Sequence, residues 1–161
     1  MKLASVVVTG GLLCLSMSVQ GWADDKCPPS VKAAVETTFP GSEVKKCEIE
    51  TEKGKQVYEV KLKTKDGHVS KMNIDPAGLV LMTSQFVSTD TVPVVVMKNF
   101  QGKYAGYKIV RTEKVTFPDG KTTYRVIYAK DNDASKKAVV YTPEGTVVEE
   151  IQTYSDDADT D

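Results

Sequence analysis

From residue 28 onward the spacing of apolar positions changes twice, each time from about four to two. Val31, Val35 and Phe39 recur every fourth residue, which makes one apolar stripe of a short helix. Ser30 can cap that helix, and Pro40-Gly41 ends it because proline disfavours helical geometry in the residue before it. From Ser42 the period falls to two: Tyr58, Val60 and Leu62 share one face of a strand and Glu59, Lys61 and Lys63 the other, so one face packs and one meets water. Strands are predicted over Ser42–Thr51, Gln56–Thr64, Val69–Asp75 and Leu79–Gln85, parted by Glu52-Lys53-Gly54-Lys55, Lys65-Asp66-Gly67 and Pro76-Ala77-Gly78. Turns this short make consecutive strands antiparallel neighbours.

The same order then returns. Pro28, Val31, Val35, Phe39, Gly41 and Val44 fall in step with Pro93, Val96, Phe100, Tyr104, Gly106 and Ile109 at one constant offset. Tyr58-Glu59-Val60 then matches Tyr124-Arg125-Val126, and Asp75-Pro76-Ala77-Gly78 matches Thr142-Pro143-Glu144-Gly145, with the offset growing by single residues in the turns. A second helix is predicted on Val96, Phe100 and Tyr104, although the run Val94-Val95-Val96 weakens its propensity. Four more strands follow over Tyr107–Thr116, Thr122–Lys130, Lys137–Tyr141 and Thr146–Thr153. The predicted fold class is α+β: two tandem repeats, each a short helix followed by a four-stranded antiparallel sheet with the helix packed on one face.

An initial proline, a short helix, Phe39-Pro40-Gly41, the Tyr58-Glu59-Val60 strand and the Asp75-x-x-Gly78 turn together resemble PepSY-like domains, which are related in fold to the secreted β-lactamase inhibitor (BLIP-like) proteins. The resemblance runs from about Pro28 to Gln152 and is cleaner in the first copy, since Tyr104-Ala105-Gly106 and Thr142 depart from the pattern in the second. It implies a sheet-and-helix scaffold in an exported protein, with binding or inhibition as its usual role and no catalytic residues to carry over. In the resembling inhibitors a projecting hairpin carries an acidic residue into an enzyme cleft. The matching turn here holds Asp66, which Asp-Gly turn chemistry alone also explains.

The N-terminus reads as an export signal: Lys2, an apolar stretch from Leu3 to about Val19, and the small-residue exit Gly21-Trp22-Ala23. Thr9, Gly10, Gly11, Ser16 and Ser18 interrupt that stretch, which is unlike a permanent span, and Leu13 before Cys14 is unlike a lipobox. The chain divides accordingly into a signal peptide at 1–23, a first PepSY-like repeat at 24–85, a linker at 86–92, a second repeat at 93–153 and an acidic disordered tail at 154–161. Export to the periplasm or the medium makes a disulfide between Cys27 and Cys47 the expected fate of the remaining cysteines. Closing a loop of about 20 residues is worth about 3 kcal/mol in the chain-entropy model.

Charge and chemistry narrow the function by exclusion. A formal net charge of −1, with Lys and Glu interspersed, gives no basic face for nucleic acid or an anionic membrane, and no stable membrane insertion is expected once the leader is gone. The one histidine, His68, has no catalytic partner in the pattern and sits beside a hairpin turn. Asp131-Asn132-Asp133-Ala134-Ser135 begins like a calcium loop but meets Lys136 where glycine is needed and Thr142 where a bidentate glutamate is needed. No enzyme, metal or cofactor is expected. Tyr124 and Tyr128, in phase with Val126, belong beneath the second helix. What remains is a sheet wall carrying Glu59, Lys61, Lys63 and Lys71 from the first repeat and Arg125 and Ile127 from the second, with Asp66 on its hairpin, as a surface for another exported protein. Ile127 and Val140, apolar on the outward phase, fit an interface better than water. The alternative is a structural or envelope-stress protein that assembles or holds unfolded chains.

Overall fold

The computed structural model describes residues 27–52, 54–131 and 135–154. The readings made for the leader and for the acidic tail lie outside these residues, except that Tyr154, expected as the first residue of the tail, is the last residue of a strand. The elements are α1 (Pro29–Thr38), β1 (Glu43–Glu52), β2 (Lys55–Lys63), β3 (Val69–Ile74), β4 (Val80–Val87), a 3-10 turn (Thr89–Thr91), α2 (Val94–Lys103), β5 (Lys108–Thr116), β6 (Thr122–Ala129), β7 (Lys136–Tyr141) and β8 (Val147–Tyr154). The helices and strands each lie within one or two residues of their expected places, and the 3-10 turn falls in the stretch expected only as a linker. β4 carries through Phe86 and Val87, where the linker was expected to begin.

The strands form one eight-stranded antiparallel sheet in sequence order, β1 to β8. The two four-stranded sheets expected separately are joined, because Thr83–Val87 of β4 pairs with Thr112–Thr116 of β5. The order of a helix and then four strands occurs twice along the chain. Both helices cover the same face, and each has its own core beneath it. Under α1, Val31 and Val35 meet Val60, Leu62, Met72 and Ile74; under α2, Val96 and Phe100 meet Val126, Tyr128, Val139 and Tyr141. Tyr128 is buried as expected and Tyr124 packs at the edge of that core. Phe100, Tyr104, Tyr107 and Tyr128 form an aromatic cluster with ring centroids from 4.7 to 6.3 Å apart.

Ser30 does not cap α1. The N-cap is Pro28, Pro29 supplies a first-turn residue with no N–H to orphan, and Ser30 Oγ instead donates to the Pro76 carbonyl at 2.9 Å. This ties α1 to the β3–β4 turn. Gly78 in that turn has φ +93°, and a Cβ there would lie 2.9 Å from the Ser30 carbonyl oxygen. The second half repeats the device: Asn99 Nδ2 of α2 donates to the Gly145 carbonyl at 2.9 Å, and a Cβ on Gly145 (φ +88°) would lie 2.8 Å from that nitrogen. Cys27, just before α1, is bonded to Cys47 on β1 with a Cα–Cα distance of 6.0 Å, so the helix entry is fastened to the sheet edge.

Candidate functional site

The helix-free face is where the alternation puts charge. Across β1, β2 and β3 the register lines up Lys46, Lys61 and Lys71 in one row and Glu48, Glu59 and Asn73 in the next. Like charges opposite one another across strands are unfavourable, and here the neighbouring row relieves them. Lys46 lies 2.9 Å from Glu48 and Lys71 lies 3.3 Å from Glu59. Glu50 sits among Glu48, Glu52 and Glu59; partial burial first, then Glu59 and Glu52, push its carboxyl above the ordinary range.

At the middle of this face, where β4, β5 and β6 meet, a carboxylate is completely buried. Glu113 has no exposed surface, and it accepts from Arg111 Nε at 2.9 Å, from Arg125 Nη1 at 3.0 Å and from Ser84 Oγ at 3.1 Å. Burial works against the charge on Arg125, but Glu113 on one side and Tyr154 on the other more than restore it and raise its pKa. Arg111 also lies over the Phe86 ring at 4.1 Å, and Arg125 faces the Tyr154 ring at 5.8 Å. Every strand at the β4–β6 junction therefore contributes to one ion cluster.

The face is curved. Glu50 on β1 and Thr153 on β8, at opposite edges of the sheet, line a single cavity of about 260 Å³, together with Lys61, Lys71, Arg125 and Tyr154. Register shifts at Lys45, between Asn73 and Ile74, at Val110, and twice along β7–β8 supply bends of the kind that curl a sheet.

Of the residues expected on the wall, Glu59, Lys61, Lys71 and Arg125 line this cavity. Lys63 and Asp66 are exposed and stand outside its lining, Asp66 at the tip of the β2–β3 turn. Ile127 does face the helix-free side, opposite Arg111, but it is completely buried, and Val140 is only 7% exposed. The expectation that they present apolar surface to a partner is corrected: the curl of the face closes over them. Lys71 is likewise 7% exposed and engaged with Glu59. Sequence reasoning missed Glu113, Arg111, Ser84 and Tyr154. The signal for the first two was present, since the Pro118-Asp119-Gly120 turn sets the β5–β6 register that places Glu113 directly opposite Arg125. Their burial had no signal in the alternation.

His68 is exposed, as its turn position implied. Among the described residues no group of three or more His, Cys, Asp or Glu side chains is placed to hold a metal ion, and no helix is long and apolar enough to cross a membrane.

Residues 30–77 match the family described as peptidase propeptide and YPEB domain (PepSY). No curated protein matches the sequence at a significant level. Among solved structures, a DUF2874 family protein from Bacteroides uniformis is similar at 21% identity with a TM-score of 0.62, covering 77% of this chain and 88% of its own. A protein from Bacteroides eggerthii described as periplasmic is similar at 20% identity and a TM-score of 0.62, covering 76% and 86%. A BLIP-like protein from Bacteroides fragilis is similar at 18% identity and a TM-score of 0.59, covering 83% and 94%. At these identities the likeness is one of fold.

Proposed function

We propose that this chain, which carries a PepSY domain within a BLIP-like fold, is an exported, non-catalytic module that binds another exported protein through the concave face of its sheet. In this reading the chain is two related halves preceded by a leader at 1–23, and it works in the periplasm or the medium. The periplasmic description of a structural neighbour and the bond between Cys27 and Cys47 both support an oxidising compartment.

The observation that carries the proposal is the concave face itself. It runs without a break across eight strands, no helix among the described residues covers it, and several of its charged side chains are held by ion pairs, Arg111 and Arg125 on Glu113, Lys71 on Glu59 and Lys46 on Glu48. Side chains fixed before contact lose little freedom on binding, which is what lets a modest surface be selective. The face also mixes both signs of charge, which suits a protein partner better than a polyanion.

Affinity capture with residues 24–161 from the native extracytoplasmic fraction tests this. Wild-type protein should retain a specific polypeptide, Lys61→Glu on the face should lose it, and Asp66→Lys on the hairpin should keep it. Equal retention by Lys61→Glu and wild type would contradict a concave-face site, and loss with Asp66→Lys alone would move the site to the hairpin.

A further inference from the structure

Strand register leaves one carboxylate of the concave face without a counter-ion. The rows run Lys46-Lys61-Lys71, then Glu48-Glu59-Asn73, then Glu50 opposite Val57. The first two rows compensate each other, Lys46 with Glu48 and Lys71 with Glu59. Glu50 lies on the far side of the glutamates from the lysines, and its neighbour across the strands is the buried Val57. Among the described residues it forms no ion pair. The potential there is negative: after partial burial, Glu59 and Glu52 raise its pKa, and Lys71 opposes them without reversing the shift.

A second acceptor of the same cavity also lacks a donor. Asn73 is 2% exposed; its Nδ2 donates to Glu52 Oε1 at 2.5 Å, while its Oδ1 has no hydrogen-bond partner among the described residues. A buried amide oxygen in that state works against folding unless a donor is brought to it. Glu50 and Asn73 line the cavity together with Met82 and Ile151, whose apolar side chains suit the methylene stem of a long basic residue.

We propose that the acidic end of the concave cavity receives an arginine side chain of the partner, its guanidinium on the Glu50 carboxylate and the Asn73 side-chain oxygen and its stem on Met82 and Ile151. The inference rests on the concave-face reading and gives the chemistry of the partner. Charge complementarity at Glu50 selects a cation. The pair of acceptors selects guanidinium, which holds five N–H donors in one plane and no acceptor, so that one group can serve a carboxylate and an amide oxygen together.

The test uses residues 24–161 with carbon and nitrogen labels, following the side-chain carboxyl resonance of Glu50 and the side-chain amide resonances of Asn73. Acetyl-arginine-amide should shift both, and should lower the pH at which the Glu50 carboxyl titrates, because a bound cation favours the ionised form. Acetyl-citrulline-amide, of the same shape without the charge, should bind at least about tenfold more weakly, a difference of the order expected for losing a charged hydrogen bond. Glu50→Gln, a change at an exposed position, should bring the arginine probe down to the citrulline level as read at Asn73. Equal binding of the two probes, no shift from either, or arginine shifts that persist in Glu50→Gln would overturn the inference. So would the same shifts from sodium chloride at equal concentration, which would make the effect one of screening. If the arginine probe fails while Lys61→Glu still abolishes partner capture, only this inference falls; if capture shows no dependence on the face, the concave-face reading falls with it.

Discussion

Glu113 is the buried anion that two guanidinium groups share. It is fully buried and compensates two guanidinium groups, so Glu113→Ala would leave both without their common anion. Breaking a buried ion pair from one side costs roughly 3–5 kcal/mol, and urea unfolding of Glu113→Ala should show a loss of that size. Glu50 is the opposite case. Its pKa is raised by burial and by its acidic neighbours, so its ionisation works against the fold. The stability linked to it is complete below the unfolded pKa and is lost as pH rises through the higher folded value. Glu50→Gln should therefore raise the melting temperature at pH 7 and leave it unchanged at about pH 3, where the carboxyl is protonated in both states. A melting temperature unaltered at both pH values would remove the argument that the acidic row is strained.

At the scale of elements, each helix is docked on the turn between the third and fourth strands of its half. Gly145 fits that turn both by its positive φ and by the absence of a side chain against Val95 and Asn99, whereas Gly120 in the β5–β6 turn has a positive φ and open space around it. Gly120→Ala should cost about 1–2 kcal/mol from backbone conformation alone. Gly145→Ala should cost clearly more in the same thermal or urea unfolding series, because α2 must also move. The elements themselves were legible in the sequence. Periods of four and two placed both helices and all eight strands, and Pro-x-Gly and Asp-Gly turns set their ends. Two things were not legible. The β4–β5 pairing that merges the halves lies across the 3-10 turn and α2, where no short turn announces it. The Glu113 cluster reads along the chain as ordinary wet-face charge, and its burial comes from curvature, which depends on bulges that alternation does not reveal. For the same reason Ile127 looked like exposed apolar surface and is interior.

For the whole molecule, the question is which surface a partner would use. The edge strand β1 carries Glu43, Lys45, Lys46, Glu48, Glu50 and Glu52, a density of charge that discourages another strand from adding there. The convex side is occupied by α1 and α2. That leaves the concave face, where curvature gathers residues from both sheet edges around Arg125. Placing a photoreactive side chain in turn at position 61 on this face, at 153 on β8 and at 98 on the exposed side of α2 tests this most directly. With the captured partner present, covalent adducts should form from 61 and 153 and not from 98; adducts from 98 with none from 61 or 153 would contradict a concave binding face.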